Sequence, residues 1–177
     1  MEEHFDGYQK STRFVANAAK NGILQGICGP VSHLISVERQ FSLAIETALG
    51  AGLQNIVVED EKAAKSAINY LFRENAGRAT FYPISSIKPA FVSSDMKKAA
   101  SFKGYAGIAS ELVSFDSKYH NVISYLLGKT LIFDNLDNAT AFAKSCGYSV
   151  KLVTLDGQCR RIVYRWFCQA RQRDFDT

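Results

Sequence analysis

The sequence predicts an α/β (α+β) fold made of two pseudo-repeated helix-strand-helix-strand subdomains. Two observations predict it: one ordered pattern occurs twice, and its strands are short apolar runs closed by glycine on one side and acidic turns on the other. The first copy reads Ala48-Leu49-Gly50, Ile56-Val57-Val58, Glu59-Asp60, a helical stretch through Ala63, Ala64, Ala67 and Ile68, then Arg78-Ala79-Thr80-Phe81-Tyr82. The second reads Leu126-Leu127-Gly128, Leu131-Ile132-Phe133, Asp134-Asn135, a helical stretch through Ala139, Phe142 and Ala143, then Val150-Lys151-Leu152-Val153-Thr154. Strand-helix-strand units favour a right-handed crossover and parallel pairing, with helices packed on the sheet.

The elements follow in order. Residues 5–20 predict a helix arriving from elsewhere, with Phe14, Val15 and Ala18 as an apolar stripe, ended at Asn21-Gly22. Ile23-Leu24 is a candidate short strand leading to a turn at Gly29-Pro30. Between Val37 and Leu49 the spacing of Phe41, Ile45 and Leu49, with Ala44 and Ala48 beside them, gives a helix with one buried face. Asn55 to Val58 predicts a buried strand, and Asp60 an N-cap for a helix turning Ala64, Ile68 and Leu71 inward. Arg78 to Tyr82 predicts a strand that Pro83 ends, and residues 84–103 an excursion loop with little core of its own. After Gly104-Tyr105-Ala106-Gly107 come a helix over Asn121 to Leu127, a strand over Thr130 to Phe133, a helix over Leu136 to Ser145 and a strand over Tyr148 to Thr154.

Length and composition bound the function. A chain of 177 residues, 47% hydrophobic and 21% charged, is an ordinary globule of one domain or two small halves. No run approaches the ~18–20 apolar residues of a membrane helix, and the acidic start Met-Glu-Glu-His-Phe-Asp is unlike a signal peptide, so a cytoplasmic location is expected. Cys28, Cys146, Cys159 and Cys168 show neither a CxxC pair nor zinc-ligand spacing and read as free thiols. The net charge of +4 is concentrated in residues 158–177, where five arginines face two aspartates; residues 1–157 carry only +1. Bulk charge therefore does not mark the globular part as a nucleic-acid binder.

Catalytic patterns are weak. His4, His33 and His120 lie in separate segments without a nucleophile motif. Gly50-Ala51-Gly52 precedes its strand, whereas a dinucleotide loop needs glycines after the strand and before the helix. No GxxxxGK[ST] loop is present, so no cofactor and no metal are expected. The acidic residues Glu59, Asp60, Glu61 and Asp134 at strand ends suit helix N-termini. Lys97, Lys98 and Lys103 form a small basic cluster, a solvated loop or a phosphate contact.

The blocks Ala44-Ile45-Glu46-Thr47-Ala48-Leu49-Gly50, Asn55-Ile56-Val57-Val58 and Gly77-Arg78-Ala79-Thr80-Phe81 before Pro83 resemble the hinge domain of bacterial SMC (structural maintenance of chromosomes) proteins. Gly104 and Gly107 ahead of an Ala-Ser-Glu-Leu segment, Leu126-Leu127-Gly128 with its strand, and Val153-Thr154-Leu155-Asp156-Gly157 agree, so the resemblance covers about residues 22–157. It implies a two-subdomain hinge at the apex of a long coiled coil, joining a second hinge into a homodimer for chromosome condensation and segregation. Residues 1–20 would be the end of the incoming coiled-coil arm, 21–157 the hinge (subdomain one about 21–83, loop 84–103, subdomain two about 104–157). The family's ATPase heads, and with them ATP and kleisin, belong to parts absent from this chain, which is not expected to be an enzyme. Two similar halves with open sheet edges can pair crosswise with a second chain, half one against half two. Gly104 and Gly107 are the dimer-interface candidates, since glycine lets backbones approach closely. Arg73, Arg78, Lys97 and Lys98 are the candidates for weak DNA contact that the resemblance implies.

After Gly157 the resemblance stops. A hinge of this family continues into a glycine-rich segment of the type Gly-Gly-Ser-Phe-Thr-Gly-Gly, but residues 158–177 hold the only tryptophan, two of four cysteines and most of the charge surplus. Read one nucleotide later, the Trp166-Phe167 junction encodes glycine without choice, and the neighbouring codons permit Asn-Ala-Gly-Gly-Ser-Phe-Thr-Gly-Gly-Ser-Val. Residues 158–177 are thus read as an out-of-frame version of the hinge's own exit; an unrelated natural or vector-derived tail is the competing account. Two other readings of the whole chain stay open: a small-molecule-binding regulatory α/β domain with a pocket between the halves, and a non-functional truncated fragment.

Overall fold

The computed structural model describes residues 10–146 and 150–157. The expected beginning of the arm at 1–9, the start of the last strand at 148–149 and the tail at 158–177 lie outside the described residues. Helix α1 (Lys10–Lys20) is followed by β1 (Ile27–Pro30), the single turn α2 (Val31–Leu34), β2 (Ile35–Val37), α3 (Ser42–Leu49), β3 (Ile56–Val58), α4 (Glu61–Arg73) and β4 (Phe81–Pro83). The chain continues through α5 (Ser94–Lys98), β5 (Tyr105–Ile108), β6 (Val113–Phe115), α6 (His120–Leu127), β7 (Thr130–Phe133), α7 (Leu136–Ser145) and β8 (Lys151–Thr154).

The repeat is longer than the sequence pattern shows. One three-stranded sheet runs β1-β3-β4 and another β5-β7-β8; in each the central strand is antiparallel to the first and parallel to the last. The antiparallel first strands replace the strand expected at Ile23-Leu24. Those two amides instead donate to the Ala18 carbonyl and finish α1, and the strand begins at Ile27. Gly29-Pro30 is not a turn but the end of that strand. The register slips between Ile27 and Gly29, and again between Tyr105 and Gly107, a β-bulge at the same place in each copy.

The central strands dictate the packing. All of Ile56, Val57 and Val58 are buried, as are Thr130 to Phe133. Against β3 sit α1 and the alanine-rich face of α4 (Ala63, Ala64, Ala67, Leu71), whose small side chains let helix and strand approach closely. Ile68, expected on that face, is 52% exposed: the inward stripe is carried by the alanines and Leu71, one step round the helix. Against β7 sits α7 with a ring cluster in which Phe142 stacks on Phe133 at 5.5 Å and meets the edge of Phe102 at 5.1 Å. Residues 84–103 are more than a loop. Ser93 caps α5 by accepting from the Met96 amide, and Met96 and Ala99 are buried in this second core.

Of the described residues, one compact unit takes 10–36, 51–89 and 115–125, and the other takes 37–50, 90–114 and the described part of 126–157. The units are interleaved along the chain rather than consecutive. Helix α3, early in sequence, packs on β8 in the second unit, and the Lys151 ammonium donates to the Ala48 carbonyl at its C-terminal end. A cation there suits the helix dipole. In the first unit, Tyr125 of α6 meets Tyr82 of β4 at 6.0 Å between ring centroids, and the Asn55 amide donates to the Tyr82 hydroxyl. The first unit also holds Cys28 on β1. Burial pushes this thiol up, while a hydrogen bond from the Tyr119 hydroxyl and the charge of Lys118 pull the other way and Glu59 adds to the rise.

Gly104 (φ 78°) is sterically fixed: a Cβ there would fall on the Asp134 carboxylate, whereas one on Gly22 (φ 72°) would meet nothing within 4 Å. Replacing Gly104 with alanine is expected to cost about 2–4 kcal/mol in urea denaturation, and Gly22→Ala only the backbone strain of about 1–2 kcal/mol; equal costs would show that contact with Asp134 does not matter. Peptide-resolved alkylation of Cys28 across the alkaline range should show a midpoint above that of an ordinary thiol. Tyr119→Phe removes a bond that favours the thiolate, so it should move the midpoint higher still; a fall would contradict the assigned donor.

Candidate dimer and DNA-contact site

Both candidate interface glycines stand on one sheet edge. Gly104 occupies the turn before β5, and Gly107 (φ 151°) lies in β5 at its bulge, on an outer strand of the β5-β7-β8 sheet. Their own unit already explains part of the choice. The Asp134 amide donates to the Gly104 carbonyl at 2.8 Å, and a Cβ on Gly107 would come within 3.0 Å of Leu112.

The first unit repeats this edge with two residues the sequence reading passed over. Gly26 (φ 72°) precedes β1 and accepts from the Glu59 amide at 2.9 Å, and Gly29 (φ 123°) sits at the β1 bulge. The signal was present: Gly26-Ile-Cys-Gly29 and Gly104-Tyr-Ala-Gly107 share one spacing, each followed by a single helical turn and a short strand. Gly29 differs from Gly107 in one respect, for a Cβ on it would meet no atom within 4 Å. Among the described residues nothing occupies the space over Gly29, as approach by another backbone would require.

The four candidate DNA contacts divide between the units. Arg73 ends α4 in the first, its guanidinium 5.9 Å from the Tyr70 ring centroid, and Arg78 follows on the segment leading to β4. Lys97 and Lys98 end the five-residue α5 in the second, and Lys98 pairs with Asp95 at 3.2 Å. All four are exposed. Each pair is a weak cation cluster, enough for phosphate contact and too sparse for a groove that reads sequence.

Among the described residues no group of three or more His, Cys, Asp or Glu side chains is arranged to hold a metal ion. His33 and His120 are exposed, and His4 lies outside the described residues. The acidic strand ends serve the helices that follow: Asp60 accepts from the Ala63 amide at 2.8 Å and Asn135 from the Asn138 amide at 3.0 Å. No described helix is long and apolar enough to cross a membrane.

Comparison with known proteins gives one consistent result. The family described as the SMC proteins flexible hinge domain matches residues 24–143. The chromosome partition protein Smc of Bacillus subtilis is 42% identical over 158 residues, and that of Desulfitobacterium hafniense 39% over 159; each alignment covers 89% of this chain and 13% of the relative. The chain therefore spans about an eighth of the length of these relatives. Among solved structures, an asymmetric dimer of the Geobacillus stearothermophilus SMC hinge domain superimposes with a TM-score of 0.83 at 40% identity, covering 87% of this chain and 61% of that one. The Pyrococcus furiosus SMC hinge domain gives 0.66 at 30% identity, covering 89% and 85%. The duplicated bulged-strand units are those of a known module, and the chain belongs to the SMC flexible hinge domain family.

Proposed function

We propose that this chain is the dimerisation hinge of a chromosome partition protein, that it forms a homodimer, and that it makes weak contact with DNA. The observation that carries the reading is the pair of equivalent sheet edges, β1 with Gly29 and β5 with Gly107, in a chain 40% identical to a hinge solved as a dimer. Two edges of one design on one chain can satisfy two edges on a second chain about a two-fold axis, and closure removes all four. Chromosome segregation in the cytoplasm, at the nucleoid, is the setting this role implies. ATP and kleisin would act on other parts of the longer protein.

The proposed organisation places the end of an incoming coiled-coil arm at 1–20, the hinge with its two interleaved units at about 21–157, and the out-of-frame exit at 158–177. The relatives' alignments cover 89% of the chain, which leaves room for a terminal segment without a counterpart in them. Gly157 itself is tightly seated, since a Cβ there would come within 2.8 Å of Leu43 and 3.0 Å of Thr47 on α3. This close packing supports a hinge that runs up to Gly157, after which we place the change of frame.

Light scattering over a micromolar concentration range tests the role. A version whose residues after Gly157 are the in-frame Gly-Gly-Ser-Phe-Thr-Gly-Gly exit should dimerise more tightly than this chain; no gain would count against the frame-shift, and two monomers would overturn the hinge. Charge reversal at Arg73, Arg78, Lys97 and Lys98 together should weaken DNA binding and reduce its dependence on salt. Unchanged binding would remove these residues from the contact.

A further inference from the structure

Helix α4 has a second apolar face. Its buried side is Ala63, Ala64, Ala67 and Leu71, yet Ile68 and Phe72, one turn apart, are 52% and 86% exposed on the other. Beside them the chain leaves the helix through Asn75 (φ 49°) and Gly77 (φ 92°) and runs into β4. Helix and connecting segment enclose an open groove of about 650 Å³ lined by Ile68, Leu71, Phe72, Arg78, Ala79 and Phe81. All of it lies within the first unit.

Among the described residues, the strand side of this groove has backbone capacity left over. β4 is the outer strand of its sheet. Thr80 turns its carbonyl to β3, accepting from the Ile56 amide at 2.9 Å, and Arg78 turns its carbonyl to α1, accepting from the Ser11 hydroxyl at 2.6 Å. Backbone groups alternate sides along a strand, so with the Thr80 carbonyl turned to β3 those of Phe81 face away from it, and Ala79 lies beside them in the groove. A groove between an edge strand and a helix, with apolar side chains on the helix, is the geometry that binds a peptide by strand addition.

Charge selects the kind of peptide. Arg78 lines the groove and makes no ion pair among the described residues, and Lys65 is exposed one turn before Ile68 on the same strip. On that strip Glu61 is engaged by the Ser85 hydroxyl at 3.0 Å, and Glu74 beyond the helix end is the nearby acid. An isologous contact would set this cationic strip against its own copy, and the exposed Ile68 and Phe72 offer an apolar anchor point that a peptide side chain fills and a phosphate backbone does not. We propose that this groove takes an extended acidic peptide from a partner protein, added as a strand against Ala79–Phe81 with an apolar side chain between Ile68 and Phe72. The site lies on the opposite edge of its sheet from β1.

Panning a random octapeptide library on the 177-residue chain tests it. Enriched peptides should carry an apolar or aromatic anchor flanked by Asp or Glu, and the best of them, made synthetically, should slow amide exchange at Ala79 and Phe81. Phe72→Ala should weaken that peptide at least about tenfold, and Arg78→Glu severalfold. Phe91→Ala, which removes another highly exposed aromatic far along the chain and in the other unit, should change nothing. The proposal is overturned if no such peptides enrich, or if the bound peptide ignores both groove variants. It is equally overturned if Phe72→Ala shifts the dimer mass, making a second copy the occupant, or if a single-stranded oligonucleotide binds with the same dependence on Phe72 and Arg78.

Discussion

Each half of the molecule depends on one strand that is buried on both faces. Ile56–Val58 and Thr130–Phe133 have no access to water, so their amides and carbonyls must find partners in neighbouring strands. The antiparallel neighbour supplies one side and the parallel neighbour the other. Where the central strand ends, the next amide (Glu59 or Asp134) still bonds backward, to the carbonyl of a positive-φ glycine before the first strand. The residue after that (Asp60 or Asn135) caps the helix. Three consecutive residues thus end a ladder, anchor a turn and start a helix, twice.

Much of this was legible because it is local. Apolar runs bounded by glycine and acid located β3 and β7, the N-cap at Asp60 located α4, and Leu136–Ser145 and Thr130–Phe133 have the predicted limits. The first strand of the first copy was misplaced because its hydrogen bonds are non-local: Ile23 and Leu24 look like a strand but close α1, while Gly29-Pro30 looks like a turn but ends a bulged strand that β3 holds in register. Ile68 was misassigned since alanine, which reads as neutral, occupies the true inward stripe of α4. The interleaving of the units was illegible for the same reason, as α3 finds its sheet partner β8 about a hundred residues later.

The candidate sites show the same division. Gly104 and Gly107 could be singled out from spacing, but not what holds them: a carboxylate in one case and Leu112 in the other. Their counterparts Gly26 and Gly29 emerged only when β1 and β5 were seen to be equivalent edges. Exposed cations could be nominated from sequence, whereas the groove beside Arg78 required knowing that an apolar strip of α4 lies next to an outer strand. The interiors of both sheets are committed to packing, which leaves their edges as the surfaces on which the proposed contacts rest.

Crosswise pairing of the two halves is tested most directly by amide exchange measured as a function of protein concentration on the chain with an in-frame exit. Association through equivalent edges should bring protection to Ile27–Pro30 and Tyr105–Ile108 together, at the concentration where mass doubles. Protection confined to one half, or a doubled mass with neither edge protected, would contradict the pairing of half one with half two.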